Sequence, residues 1–516
     1  MQYGFVINQE TCIGCHACTV ACKAENDVPV GGFRTNVKYV DIGKYPTVKR
    51  NFLVQRCNHC TDAPCVTICP VNALSKRPDG IVDIDRDACI GCRACMQACP
   101  YDALYLNEDL GAVEKCHFCA HRVEKGLEPA CVTVCPVGAI IPGDFHDPES
   151  EVSLLRRAQK LKTRRPEQKT GPNVFYIGAS DVSLQPGSAE KPDTYMWSQR
   201  RPTKPEAWPS EVATDPEARE VLNADHKVEW GWPVALYLLT KGIAGGAAMI
   251  APFFGLFGQS AAVPWWAPET IGLVFMLITV FLLIEDLKKP MHFYKLFTRP
   301  NWDSWLVKGG IVLTVFGVLS AVILVLGFVG NVGPVGQVRP VGLVGLIEPL
   351  RWVNLLVGAL VSGYTAFLFK QCKGRDLWEA DGLLWHLLAQ SVTAGAAFFL
   401  LIGMGNVVTV VAFAVGGLSL CTLHLLPQSK ENKTDNFNQA VGFLHESRNF
   451  GVSTKDTNLV IALLGILALT TVFVSTTFEF LWLLIAGHAV ISIVSLTILF
   501  LYERAFVRAG QLPPLS

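Results

Sequence analysis

The stretch Cys89-Ile-Gly-Cys92-Arg-Ala-Cys95-Met-Gln-Ala-Cys99-Pro100 places four thiols at the spacing C-x2-C-x2-C-x3-C-P. Three closely spaced thiolates wrap one iron–sulfur cluster, and the more distant fourth, followed by proline, ligates the neighbouring cluster in two-cluster ferredoxins. The pattern returns in Cys12-x2-Cys15-x2-Cys18-x3-Cys22 and, with longer inserts, in Cys57-x2-Cys60-x4-Cys65-x3-Cys69 and Cys116-x2-Cys119-x11-Cys131-x3-Cys135. Pro70 and Pro136 follow two of the other final cysteines. Four groups make two such pairs, or four clusters.

Other uses of cysteine fit less well. A zinc ribbon needs two C-x2-C pairs per ion and has no role for a third cysteine and a C-x3-C-P tail. Disulfides belong to short secreted domains, and no charged n-region, apolar h-region and cleavage site precede Cys12. The chain has 516 residues, half of them hydrophobic, a mean hydropathy of +0.33 and no net charge. It is longer and more apolar than a ferredoxin module requires. The absence of a basic excess points away from nucleic acid as a partner.

Three regimes follow one another. Over 1–143 the cysteine groups alternate with short strand-like runs such as Tyr3-Gly-Phe-Val-Ile-Asn8 and Ile81-Val-Asp-Ile-Asp85, which predicts a doubled ferredoxin-like α+β domain. Over 144–229 the chain is charged and proline-rich, as in Arg200-Arg-Pro-Thr-Lys-Pro-Glu-Ala-Trp-Pro209, and reads as an extended connector on the protein surface. From 230 to 516 apolar blocks of bilayer length predict an all-α bundle of eight transmembrane helices, at 232–254, 268–285, 306–329, 350–369, 383–404, 407–426, 459–475 and 481–501.

Basic residues in the short loops orient this bundle. The face shared with the N-terminal domain carries Lys288, Lys289, Lys295, Arg299, Lys308, Lys370, Lys373, Arg375, Lys430, Lys433, Arg448, Lys455, Arg504 and Arg508; the other face carries Arg339 and Arg351. Lysine and arginine accumulate on the cytoplasmic side. The expectation is a multi-pass protein of a prokaryotic cytoplasmic (inner) membrane, with the iron–sulfur domain and both termini inside.

The N-terminal part, about residues 1–180, resembles the four-cluster electron-transfer subunit of complex iron–sulfur molybdoenzymes. The C-terminal part resembles the quinone-reactive anchor of the polysulfide-reductase (NrfD-like) type. That likeness rests on Trp230-Gly-Trp-Pro-Val-Ala-Leu-Tyr-Leu-Leu239 with Gly245-Gly246, on Ile284-Glu-Asp-Leu-Lys-Lys-Pro290 followed by Asn301-Trp-Asp-Ser-Trp305, and on Gly363-Tyr-Thr-Ala-Phe-Leu368. Arg508-Ala-Gly-Gln-Leu-Pro-Pro-Leu-Ser516 resembles anchors of the DMSO-reductase type. In these families the two parts are commonly separate subunits; here a single polypeptide holds both.

The resemblance implies four [4Fe–4S] clusters, since no ligand position is replaced by tryptophan as in relatives with a three-iron cluster. Crossed ligation assigns Cys12, Cys15, Cys18 and Cys135 to one cluster and Cys22, Cys116, Cys119 and Cys131 to its neighbour. Cys57, Cys60, Cys65 and Cys99 then serve a third, and Cys69, Cys89, Cys92 and Cys95 a fourth. The first pair is expected to face the catalytic partner and the second the membrane. His16, His59 and His117 are expected to donate to sulfur or backbone rather than to ligate iron, and Cys372 and Cys421 to be free thiols.

A quinone takes up two electrons and two protons, so ionisable groups near the cytoplasmic helix ends are candidates for quinone binding or proton relay. They are Tyr237 and Lys241, four apart on one helix face, Glu285 and Asp286, Tyr364, and His386 with Gln390, again four apart. The plainer readings are that Lys241 snorkels, that Glu285 and Asp286 mark the water boundary, and that His386 packs locally. His386, His424 and His488 are the histidines available to haem, but no helix stacks two at opposite depths, so no haem is expected. Nothing in the sequence resembles a substrate-oxidising site. The resemblance implies a separate molybdenum or tungsten bis-pterin catalytic subunit, electrons passing between it and the membrane quinone pool. The alternative is a non-catalytic conduit joined to a proton-translocating module of a larger respiratory complex.

Overall fold

The structure, a computed structural model, describes residues 1–191, 217–224, 228–258, 263–331, 345–425, 434–446, 448–449, 452–453, 459–467 and 481–515. The N-terminal part is α+β. Strands β1 (Tyr3–Asn8), β2 (Thr35–Ile42), β3 (Lys49–Arg56), β4 (Leu74–Lys76), β5 (Val82–Ile84), β6 (Leu104–Asn107), β7 (Ala112–Lys115), β8 (Ile140–Asp144), β9 (Val174–Ile177) and β10 (Ala218–Leu222) form two three-stranded sheets, β8-β1-β9 and β10-β2-β3, and the hairpins β4-β5 and β6-β7. Every cysteine group feeds a short helix: α1 (Ala17–Glu25), α2 (Pro64–Ile68), α3 (Ala94–Ala98) and, after α4 (Ala120–Val123), α5 (Ala130–Thr133). Each group's third cysteine lies inside its helix. The fourth lies inside α1 as Cys22 and follows the helix in the other three.

The repeat is visible in the backbone. Gly14 and Gly91 occupy the same place in their loops at φ +69° and +71°, followed by His16 and Arg93, both at φ 59°. Only glycine reaches that region without a steric penalty, so the sharp turn that points successive thiols inward is written as Cys-Ile-Gly-Cys. α1 packs on α5 and α2 on α3, which joins the first cysteine group to the last and the second to the third.

The stretch expected to be an extended connector is more structured than that. β9 runs parallel to β1 with Val6 opposite Phe175, α6 (Glu151–Ala158) packs on β8 and β1, and α7 (Asp181–Leu184) on β3. β10 adds an edge to β2, where Lys38 and Glu220, both buried, pair at 3.0 Å. Val174 and Tyr176 are buried in the core and alternate with the half-buried Phe175 and Ile177; this short apolar run within a charged, proline-rich stretch is a strand because β1 lies beside it. The quoted segment at 200–209 lies outside the described residues.

The C-terminal part is helical. Among the described residues six helices are long and apolar enough to cross a membrane: α8 (Trp232–Leu256), α9 (Ala267–Glu285), α11 (Trp305–Asn331), α12 (Ile347–Lys370), α13 (Leu383–Leu401) and α17 (Leu481–Gln511), with α10 (Lys295–Thr298) a short connecting turn. α14 (Val407–Leu425) is a shorter apolar helix, and α16 spans 459–467; residues 468–475 of the expected seventh span lie outside the described residues. α15 (Asp435–Glu446) is an amphipathic helix that the hydropathy pattern does not announce. Of the basic loop residues, Arg339, Lys430, Lys433 and Lys455 lie outside the described residues.

α8 is the hub, packed against α9, α12, α13 and α17. Its small residues allow this: a Cβ on Gly246 would collide with the Ser391 carbonyl of α13, and one on Gly245 would lie 2.7 Å from the Gly358 carbonyl of α12. Between membrane helices such close approach replaces the hydrophobic drive that lipid removes. α17 runs well past the expected end at 501, because Glu503 is buried beside Lys241 and Gln390, and Val507 and Gln511 under the N-terminal part, rather than meeting water.

Candidate iron–sulfur and membrane redox sites

The thiols gather along the helix pairs. Cys12 feels the charges of Cys135 and Cys15, and Cys18 those of Cys131 and Cys12. Cys22 interacts with Cys116, Cys131 and Cys119. Cys60 interacts with Cys57 and Cys99, as does Cys65, while Cys92 interacts with Cys69 and Cys89. Most are buried; Cys15 is exposed. Burial, and then neighbouring thiols, push Cys22 well above the ordinary thiol range; Cys116 rises to about 12, from burial first, with Arg56 opposing. Buried thiols packed this way stay deprotonated only if a cation compensates them, and a bound metal does so outright.

One further observation fits an iron–sulfur cluster: around the thiols, among the described residues, are buried donors with no protein acceptor, Arg56 Nε and Nη2, Asn58 Nδ2 and His59 Nε2. His59 Nδ1 accepts the Val82 N–H at 3.1 Å, and burial, then Lys115, holds the ring neutral, so its proton sits on the unpartnered Nε2. Buried donors seldom go unpaired, and sulfur acceptors would satisfy these.

The second cysteine pair is seated on the segments that flank the membrane helices. Asn301 Nδ2 donates to the Cys69 carbonyl at 2.8 Å and Ser304 Oγ to that of Ile68 at 2.7 Å. Lys289 N–H donates to the Ile90 carbonyl at 3.2 Å, and Trp230 Nε1 to that of Cys92 at 3.4 Å. Cys57, Cys65, Cys69, Cys89, Cys95 and Cys99 share one apolar cluster with Tyr237 and Leu238 of α8 and Tyr502 of α17. The C-terminal tail straps the joint: Arg375 Nη1 donates to the Gln511 carbonyl at 2.9 Å and Arg164 Nη2 to that of Leu515 at 2.7 Å.

Just beneath lies a buried polar group. The Lys241 ammonium donates to Thr365 Oγ1 and lies 4.8 Å from the centre of the Tyr364 ring. It interacts electrostatically with Glu503, whose carboxylate also accepts a hydrogen bond from Gln390. Lys241 is 2% exposed and Glu503 1%. Glu503 Oε2 and Gln390 Oε1 have no hydrogen-bond partner among the described residues. The His386 ring lies 5.3 Å from that of Tyr502.

A 4Fe-4S dicluster domain matches residues 48–145, a 4Fe-4S binding domain residues 3–24, and the polysulphide reductase NrfD family residues 220–410. A tetrathionate reductase subunit of Salmonella typhimurium is 44% identical over 189 residues, covering 36% of this chain and 76% of that protein. The arsenate respiratory reductase iron-sulfur subunit of a Shewanella strain is 36% identical over 230 residues, 35% of this chain and 98% of that protein. A polysulfide reductase component of Wolinella succinogenes is 39% identical over 181 residues, 34% and 94%. This protein is a member of the family of reductase iron–sulfur subunits, fused to an NrfD-type membrane domain.

In the NrfD-type domain the expected residues divide. Tyr237, Lys241, Tyr364 and Gln390 are buried, and His386 borders them; Glu285 is exposed at the end of α9, and Asp286 turns to Arg93 of the iron–sulfur part. The motifs Ile284–Pro290 and Asn301–Trp305 are the docking surface for the second cysteine pair. Glu503 was missed because it lies two residues beyond the expected last span, beside Arg504, where a glutamate reads as a solvated helix end. A helical projection from Tyr502 would have found it, since helix ends facing another protein layer stay dry.

Proposed function

We propose that this protein carries electrons between a separate molybdenum or tungsten bis-pterin catalytic subunit and the membrane quinone pool, and anchors that subunit to a prokaryotic cytoplasmic membrane. When bound, four [4Fe–4S] clusters would supply single-electron transfer, held by Cys12/Cys15/Cys18/Cys135, Cys22/Cys116/Cys119/Cys131, Cys57/Cys60/Cys65/Cys99 and Cys69/Cys89/Cys92/Cys95. The observation that carries the reading is the seam: the Cys69 and Cys92 loops hydrogen-bond to the segments that lead into the membrane helices, next to the buried Lys241–Glu503–Gln390 group. The exposed Cys15 end is then the face for the catalytic partner.

The quinone head binds among Tyr237, Lys241, Tyr364, Gln390 and His386, with Glu503 as the carboxylate that holds and delivers a proton. An ionisable group in a dry site persists because it works. The organisation proposed is an iron–sulfur region over 1–143 with the structured parts of 144–229 attached, then an eight-helix anchor over 230–516, α14 and the segment through 459–475 being the two helices beyond the six. The excess of lysine and arginine on the docking face supports a cytoplasmic iron–sulfur part and both termini inside. The relatives' names, tetrathionate, polysulfide, thiosulfate and arsenate reductase components, support a partner that acts on a sulfur compound or an oxyanion.

Purification of the intact complex tests this. Mass spectrometry should find a pterin-binding partner with molybdenum or tungsten, and a quinone analogue should block turnover. Turnover indifferent to the analogue would favour the proton-module alternative instead.

A further inference from the structure

Arg56 ends β3, immediately before Cys57, and is 3% exposed. Its Nη1 donates to Cys131 Sγ at 3.2 Å, and its guanidinium carbon lies 4.4 Å from the centre of the Phe5 ring. It also interacts with Cys116 and Cys18, so it stands between the first and last cysteine groups, inside the α1–α5 pair. Among the described residues no carboxylate pairs with it, and Nε and Nη2 are buried without an acceptor. A guanidinium is charged at every accessible pH, and a buried charge with neither counter-ion nor acceptors is strongly disfavoured. Arg34, also buried, has its carboxylate, Glu114, at 3.3 Å. The counter-charge for Arg56 must therefore come from what the thiols hold.

We propose that Arg56 sets the reduction potential of the cluster held by Cys22, Cys116, Cys119 and Cys131, raising it above the value the four thiolates alone would give; this rests on the ligand set proposed above. Reduction adds one electron, and hence one negative charge, beside a fixed positive charge that water cannot screen. The reduced form gains more from Arg56 than the oxidised form does. The unpartnered Nε and Nη2 donors act in the same direction, because hydrogen bonds to sulfur strengthen as charge accumulates there. Arg56 is a positioning and tuning residue; it ligates nothing.

Redox titration of the full complex in membranes, followed by electron paramagnetic resonance, tests this. In Arg56→Gln one midpoint should fall by at least a tenfold change in the reduction equilibrium, 59 mV for one electron. Arg56→Lys, which keeps the charge but not the three-armed donor, should lower the same midpoint by less. Unchanged midpoints in both variants, an equal fall in both, or a fall spread over every cluster would overturn the proposal. If Arg56→Gln fails to assemble that cluster, Arg56→Lys decides: a fall confined to one midpoint supports the proposal and no fall overturns it. Cys131→Ser separates the two layers. If it removes or alters no signal the ligand set is wrong, whereas if it alters a signal other than the one Arg56 shifts, the tuning assignment is wrong.

Discussion

The Arg93 guanidinium lies 2.7 Å from the Asp286 carboxylate, with Nη2 also donating to the Asp286 carbonyl at 3.0 Å and Nη1 to that of Glu229 at 2.8 Å. Arg93 sits between Cys92 and Cys95, Asp286 caps α9, and Glu229 lies just ahead of α8. One side chain thus pins a cysteine loop to two membrane helices. Burial raises the Asp286 carboxyl, with Arg93 opposing.

Arg93→Ala leaves that carboxylate half-buried and unpaired, and should destabilise the joint by about 1–3 kcal/mol. A double-mutant cycle with Asp286→Asn, read by thermal unfolding in detergent, should give a coupling above about 0.5 kcal/mol. Strict additivity would mean that the pair holds nothing.

Lys241→Met and Glu503→Gln should each slow quinone-linked turnover by at least about a hundredfold, the lower end of the usual range for losing a proton-transfer group. The iron–sulfur signals should be unchanged, because neither residue touches a cysteine. Normal turnover in Glu503→Gln would remove the carboxylate from the proton path.

Gly246→Ala should lower stability by about 1–3 kcal/mol, the cost of overpacking, because its Cβ would meet the Ser391 carbonyl. Gly442→Ala, at a helix position where nothing lies within 4 Å, is the control and should be neutral or slightly stabilising. Equal melting of the two variants would rule out the α8–α13 close contact.

Asp85 accepts the Ala88 and Asp87 N–H groups, both at 3.0 Å, and faces Arg299 at 3.4 Å. The Ala88 N–H is the main cause that holds its carboxyl below the ordinary range. A depressed folded-state pKa gives stability that is present above the unfolded value and lost as pH falls toward the folded one. Acid loss of the iron–sulfur absorbance should therefore shift to higher pH in Asp85→Asn. Superimposable acid profiles would refute it.

The cysteine loops and the helix lengths are local properties, so they were legible. Cys-Ile-Gly-Cys writes its own turn, and an apolar block of bilayer length becomes a helix wherever it sits. Relations between distant segments were less legible. Asp286 reads alike whether it meets water, a quinone or Arg93, and 144–229 reads as a connector because the partners of β9 and β10 lie more than 150 residues upstream.

Composition and spacing by themselves determined that this protein holds iron–sulfur clusters and crosses a membrane, since thiol spacing and apolar length act within a few turns of the backbone. The tertiary structure decided the rest. Whether a charge is solvated, paired or left dry depends on what packs against it. That is why Arg56 lacks a carboxylate, why Glu503 faces Gln390 and Lys241, and why the loop around Cys92 rests on α8 and α9.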